Sequence, residues 1–580
     1  MAIREPQSAT EGIDTRTGRF AIIRQFLADG MTHMFGNPGT VEQGLLDAIS
    51  AYPEMKYILT LQESVAVLAA DGYARATQRP TLVQIHSTPG LGNSIGALYQ
   101  AMRGHAPLVV IGGDAGIKYL GMDAQMAGDL VAMAEPVTKW AAMVTDPSST
   151  LRMVRRAIKI AATPPMGPVY LCLPQDILDA PVTEEVCPTS IPSTRVAPEQ
   201  AFIEEAATLL ASAHTPLIFI GDGIAYSGAQ QELVRIVELL GAEVWSADAG
   251  ELNMSYTHPL YQGSTGHMFG SASKPIMAKG DVNLVVGTYI LPEVFPALGS
   301  VFAPGAKVIH VDLNAYEIAK SHPVDLGVVS DPKQTLARLA SALETELTAE
   351  QKAAAKARAD DLATAKASKE QEERGRDRTS RDAVPLHFAR FMEELAPHLP
   401  DDVVIFDEAL TNSPALTRYV PPTKSGHFFQ TRGGSLGVGF PGAIGLKLAY
   451  PEKTVLGFSG DGGSMYTIQA LWTAARHDLN VKFIVCNNGS YRLLQSNIEA
   501  YWQEQDIAKH DYPLAFDLSA PPLAFAELAR SMGVDGLRVE KPWEIAAAVT
   551  KMMSHPGPFL IDVVLEGDTH PERIGRSCGQ

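Results

Sequence analysis

The chain has 580 residues, 46% hydrophobic and 19% charged, which excludes a small binding module and a disordered chain and leaves room for about three to five packed domains. Lys and Arg number 47 against 65 Asp and Glu, a formal net charge of −18; that field repels phosphate backbones and anionic membrane surfaces, so neither nucleic acid nor membrane is expected as a partner. Four scattered cysteines, Cys172, Cys187, Cys486 and Cys578, form no CxxC pair, which argues against a zinc site or disulfide framework, and without a run of about 20 apolar residues the expected location is cytoplasmic.

Short apolar runs alternate with Ala-rich helical stretches, which predicts an α/β protein of three doubly wound parallel-sheet domains. In residues 14–180 the strands include TLVQIHS (81–87), PLVVIGG (107–113) and GPVYLCLP (167–174). A Pro-rich stretch, 180–200, separates them from a second set over 197–345: TPLIFIGDG, AEVWSAD, DVNLVVG and AKVIHVDL. Residues 346–385 are Ala plus charge, read as a solvated helical linker or a partly mobile connector. The pattern restarts over 386–567 with DVVIFDEA, TVLGFSGDGG, VKFIVCNNG and PFLIDVVL, and 568–580 reads as a disordered tail.

The chemistry concentrates in residues 454–491, which read strand, glycine loop, helix, strand, Asn-Asn-Gly. Parallel strands joined by a right-handed crossover end at one sheet edge, so Asp461 and Asn488, 27 residues apart, face one crevice. A carboxylate, an amide oxygen and a nearby backbone carbonyl at Ser490 are hard ligands suited to magnesium, which takes phosphate oxygens for its remaining positions. Gly460, Gly462 and Gly463 admit close backbone approach, and a helix expected to begin near Ser464 points free N–H groups at an anion. A second Gly-Asp-Gly, 221–223, also follows a strand but has no Asn-Asn at the required distance and reads as a bare turn. The GxxxxGK[ST] motif of phosphoryl-transfer sites is absent, and the GxGxxG at 437–442 and the GxSxG at 92–96 and 433–437 do not directly follow a predicted strand, as dinucleotide and serine hydrolase sites require.

The 460–488 pattern resembles the cofactor motif of thiamine diphosphate enzymes. FGNPGT (35–40), LQESVAVLAADGYARAT (61–77), HSTPGLGNSIGAL (86–98) and GHAPLVVIGG (104–113) then resemble, in that order, the pyrimidine-binding domain of the 2-oxo acid decarboxylase and acetolactate synthase superfamily, most closely its benzoylformate decarboxylase branch. The resemblance implies pyrimidine-binding, middle and diphosphate-binding domains, with thiamine diphosphate and Mg2+ as cofactors. It makes Glu63, at the head of an apolar helix, the carboxyl that shares a proton with the pyrimidine, so that the cofactor generates its own nucleophile. Leu436 would wedge between the cofactor rings, Gly434 would offer its carbonyl to the pyrimidine amine, and Thr411 would contact the diphosphate, although a helix cap explains the same hydroxyl.

Near the reacting carbon, Thr40 and His86 match a hydroxyl and a first histidine of the branch; local alternatives are a cap on the helix that follows Thr40 and a satisfied strand-end histidine. The branch's second histidine has no counterpart in VVGTYILPEVF (285–295), which tilts the reading towards carboligation. Leu493 and Leu494 are expected to line an apolar pocket, with Leu493 crowding a phenyl group. Gln125 is assigned to the pocket against the alternative of a surface helix. FAD or ADP in the middle domain stays open and is not predicted. The expectation is a decarboxylase of an apolar or aromatic 2-oxo acid with carboligase activity. The alternatives are an acetolactate synthase-like carboligase, a 2-hydroxyacyl-CoA lyase and, last, a non-catalytic homologue. The resemblance implies sites completed by a neighbouring subunit, hence a homodimer at least and preferably a homotetramer.

Overall fold

The computed structural model describes residues 16–574 apart from Asp248 and His267; the ends of the chain, with Cys578 and part of the expected tail, lie outside the described residues. Three six-stranded sheets, all parallel, follow one another along the chain. The first holds β1 (His33–Gly36), β2 (Lys56–Leu59), β3 (Thr81–Ile85), β4 (Leu108–Asp114), β5 (Ala141–Met143) and β6 (Val169–Pro174), in the order 2-1-3-4-6-5. The middle sheet holds β7 (Pro216–Ile220), β8 (Glu243–Ser246), β9 (Tyr261–Ser264), β10 (Val282–Val286), β11 (Lys307–Asp312) and β12 (Leu326–Val329), in the order 12-11-10-7-8-9. The third holds β13 (Val404–Glu408), β14 (Phe428–Gln430), β15 (Val455–Gly460), β16 (Val481–Asn487), β17 (Asp535–Val539) and β18 (Phe559–Val564), and its order, 14-13-15-16-18-17, repeats that of the first. The central strands are apolar and buried on both faces, as expected of parallel sheets covered by crossover helices.

Each order reverses near its middle, between β1 and β3, β7 and β10, and β13 and β15, and the crevice at the carboxyl ends of such strand pairs is where doubly wound sheets take ligands. The first and third sheets share one apolar core, from Phe35 through Cys172 and from Val404 through Leu560, whereas the middle sheet has its own. At the centre of the shared core the Glu63–Thr77 helix crosses the Gly439–Ala449 helix backbone against backbone. A Cβ on Gly72 would lie 2.2 Å from the Gly442 carbonyl oxygen, and one on Gly445 would lie 2.0 Å from that of Ala69.

The charged stretch is one 31-residue helix, Ala349–Thr379, opened by a Thr348–Gln351 capping box. It is a strap rather than a free connector. Lys366 Nζ donates to the carbonyls of Tyr256, His258 and Tyr261 in the middle domain (2.5, 2.8 and 2.9 Å), and Asp377 accepts from Arg418 of the third (2.8 and 3.1 Å). Among the described residues no helix is long and apolar enough to cross a membrane.

Candidate active site

At the first reversal point, Asn37 follows β1 and His86 follows β3. Glu63 opens its helix, whose start is capped by the Gln62 side chain accepting from Val65 N (3.2 Å). Glu63 is only 7% exposed. Asn37 Nδ2 donates to its Oε1 (3.2 Å) and Asn93 Nδ2 to its Oε2 (3.0 Å), so three of the quoted sequence blocks converge on one carboxyl. Gly90 sits between Glu63 and His86, since a Cβ there would lie 3.3 Å from both Glu63 Oε1 and His86 Cβ. A Cβ on Gly39 would lie 2.1 Å from the His86 ring, so the Gly-Asn-Pro-Gly turn rests directly on the imidazole.

His86 has a partner the sequence did not suggest. Its Nδ1 lies 3.0 Å from Glu42 Oε2, while Glu42 Oε1 accepts from Gly113 N (3.1 Å) at the end of β4. Burial pushes the Glu42 carboxyl above its ordinary range, and the neighbouring His86 opposes that shift. The signal was local, an acid two residues after Thr40. Thr40 itself is exposed and caps nothing, because the helix begins at Gln43 with Glu42 at its cap position and no side-chain cap bond. Gln125 lies on an exposed stretch with Tyr119, Leu120, Met122 and Met126.

In the third sheet the register pairs Gly460 with Cys486, which sets Asp461 and Asn488 side by side one and two residues on. The helix there is a single turn, Asp461–Ser464, so it starts three residues before the expected Ser464. Asp461 Oδ1 accepts from Gly462 N (2.7 Å) and Oδ2 from Gly489 N (2.6 Å). Asn488 Oδ1 accepts from Ser490 N (3.0 Å) and Oγ (3.2 Å). Burial pushes the Asp461 carboxyl up to about 6 against the pull of these backbone amides. At Gly462 there is no room for a side chain, since a Cβ there would lie 2.3 Å from the Tyr491 ring, and one on Gly567 would lie 1.9 Å from the Asn488 carbonyl oxygen.

Gly434 and Gly437 take positive φ, +73° and +90°, and hold Leu436 half-buried between them. Behind this segment is a second carboxylate the sequence did not single out. Glu408, at the end of β13, accepts from Gly437 N (2.6 Å) and Gly439 N (2.8 Å) and from Ser459 Oγ (3.0 Å). It therefore ties the Leu436 segment to the strand carrying Gly460 and Asp461, and burial pushes its carboxyl up to about 7. Thr411 is exposed in the turn Leu410–Asn412 and makes no cap, since the next helix has Asn412 at that position with no side-chain bond. Leu493 is half-buried and Leu494 exposed on the Arg492–Glu504 helix. The stretch 285–295 has no histidine, and its one carboxyl, Glu293, is buried with neither oxygen hydrogen-bonded.

The donor set fits magnesium and a diphosphate. Asp461 is a buried carboxylate with no ion-pair partner among the described residues, beside the Asn488 amide oxygen in a turn where Gly462 admits no Cβ. Comparison with known proteins supports thiamine diphosphate as the group. Residues 16–133, 203–339 and 411–563 match, in order, the N-terminal TPP-binding, central and C-terminal TPP-binding domains of thiamine pyrophosphate enzymes. The chain is 29% identical to a benzoylformate decarboxylase of Pseudomonas aeruginosa, over 92% of this chain and 96% of that one. It is 28% identical to a probable acetolactate synthase large subunit of Methanococcus aeolicus, over 95% and 92%. The structure of a thiamine diphosphate-dependent 4-hydroxybenzoylformate decarboxylase of Rhodococcus jostii superposes with a TM-score of 0.81 at 26% identity, over 96% of this chain and all of that one. The chain belongs to the thiamine pyrophosphate enzymes.

Proposed function

From the premise that the chain is a thiamine pyrophosphate enzyme, we propose that it cleaves and forms carbon–carbon bonds beside a carbonyl with magnesium as second cofactor, and that its main reaction is non-oxidative decarboxylation of an apolar or aromatic 2-oxo acid. The observation that carries this reading is the pairing of Glu63 and His86 around Gly90, each with its own polar partners. When bound, thiamine diphosphate supplies the nucleophilic carbon and the electron sink for such chemistry. Asp461 and Asn488, with the carbonyl of Ser490, would hold the magnesium; Gly434 and Leu436 would contact the rings. Glu63 would hold the proton shared with the pyrimidine, oriented by Asn37 and Asn93. With Nδ1–H turned to Glu42, His86 keeps Nε2 to give or take a proton at the substrate, and Thr40 offers a hydroxyl beside it.

The second reading is carboligation, as in an acetolactate synthase, or its reverse on a 2-hydroxyacyl thioester. The histidine-free stretch 285–295 and the bulk of Leu493 favour it, because slow protonation of the product leaves time for an acceptor carbonyl. Leu61, Tyr99, Met465 and Tyr466, exposed beside Glu63, Asn93 and Ser464, support a homodimer or a dimer of dimers that covers them. The test is carbon dioxide release and product analysis with pyruvate and with benzoylformate, each with and without an acceptor aldehyde. Benzaldehyde from benzoylformate is the expected product. No release from either acid, with cofactor bound, overturns the decarboxylase reading and moves it to a lyase.

A further inference from the structure

The Gly221-Asp222-Gly223 turn lies at the reversal point of the middle sheet, and its glycines are filled from within. A Cβ on Gly221 would lie 2.4 Å from the Thr288 side chain, and one on Gly223 would lie 2.4 Å from Gly287 Cα. The carboxylate of Asp222, 3% exposed, is saturated. Gly250 N donates to both oxygens (3.0 and 2.9 Å), Glu251 N and Asn253 Nδ2 donate to Oδ1 (3.0 and 3.2 Å), and Arg432 Nε of the third domain lies 3.2 Å from Oδ2.

These bonds hold a joint among all three domains. Glu251 forms an antiparallel bridge with Phe429, and Gln430 N donates to Gly250 O (2.7 Å). Arg75, wholly buried on the Glu63 helix, donates to Gly250 O (2.5 Å) and Gln430 O (3.1 Å) and lies over the rings of Phe406 and Phe429. Beyond Arg432, Gly433 N donates to Gln100 Oε1 (2.5 Å) on the helix that carries Asn93. Gly434 and Leu436 follow directly. A charge pair out of water at such a joint is strongly destabilised by loss of one partner, because the other stays buried and uncompensated.

We propose that Asp222 is a positioning residue: through Arg432 and the 250–251 bridge, the middle domain sets the place of the 430–436 segment and so of Gly434 and Leu436. This rests on the reading that Gly434 and Leu436 meet the cofactor rings. Asp222 acts through Arg432 and through the backbone of Gly250 and Glu251.

The test compares Asp222→Asn, Arg432→Gln and Arg432→Lys in the full-length protein. Amide hydrogen exchange by mass spectrometry, without added cofactor, is expected to rise roughly tenfold over 430–438 in Asp222→Asn and Arg432→Gln, with 455–463 unchanged. With cofactors saturating, kcat is expected to fall about tenfold or more while KM moves less than about threefold, and Arg432→Lys, which keeps the charge, recovers most of the loss. Unchanged exchange over 430–438 in both charge-removing variants overturns the proposal, as does a rise confined to the middle domain. Should Asp222→Asn not fold, Arg432→Gln carries the same comparison. Failure of the cofactor reading is distinguishable: wild type then binds no thiamine diphosphate, while the exchange result stands on its own.

Discussion

The tripeptide Gly-Asp-Gly occurs twice at a reversal point of a parallel sheet, and the two copies are put to opposite uses. Asp222 receives three hydrogen-bond donors from its own chain and an ion pair with the Arg432 guanidinium. Asp461 receives two backbone amides and no cation, so its carboxylate keeps lone pairs for a ligand. The lesson is that the motif specifies only a tight turn after a strand. Whether that turn is a joint or a site depends on which residues, far away in sequence, reach it first.

Substitutions at the two aspartates break the comparison most directly. Asp461→Ala is expected to abolish magnesium-dependent binding of thiamine diphosphate, read by calorimetry, with the fold intact; Asp222→Ala should instead cost about 3–5 kcal/mol of stability by stranding Arg432. Equal cofactor affinity in wild type and Asp461→Ala would make the two turns equivalent. Glu63→Gln extends the contrast to the first sheet, where the buried Glu63 carboxyl is held by two amides: the expected outcome is that cofactor stays bound and exchange of its C2 proton slows by about 10²–10⁴-fold in NMR. Unchanged exchange would remove Glu63 from the mechanism.

The smallest effect sharpens the other side, the carboxylate closed in by its own chain. Glu408 has its folded pKa raised to about 7 by burial, from an ordinary 4.5. Its contribution is therefore fully present below about 4.5 and is lost as pH rises to about 7, a drop of about 3 kcal/mol that then levels off. The stability difference between wild type and Glu408→Gln in chemical denaturation should shift by that amount between acid and pH 8. A pH-independent difference would mean that the three hydrogen bonds hold Glu408 ionised throughout.

The architecture, and the convergence of Asn37, Glu63 and Asn93 and of Asp461 and Asn488, were legible because their signals are local. Strand, glycine turn and helix stand next to one another in the chain, and register alone brings Asp461 to Asn488. What escaped were carboxylates whose meaning lies in distant partners: Glu42 with His86, Glu408 with Ser459, and Asp222 with an arginine 210 residues away. The alternative reading of Thr40 as a helix cap failed because the acid two residues on took the cap position. The charged stretch illustrates both halves. Its helix was foreseeable from i,i+4 pairs such as Lys356–Asp360 and Arg376–Glu372, whereas its use as a strap depends on three carbonyls of the middle domain more than 100 residues upstream.

The core shared by the first and third sheets has a consequence for synthesis. The face of the Glu63–Thr77 helix that Gly442 and Gly445 cover is translated some 365 residues before those glycines, and β18, which closes the same core, comes later still. At about 5–20 residues per second, the nascent first domain waits roughly 20 to 75 s for those glycines. During that interval the face around Ala69, Gly72 and Tyr73 is bare outside the ribosome, available to a chaperone or to another nascent chain. The order of the domains along the message, rather than the tightness of the finished core, sets how long that surface is bare.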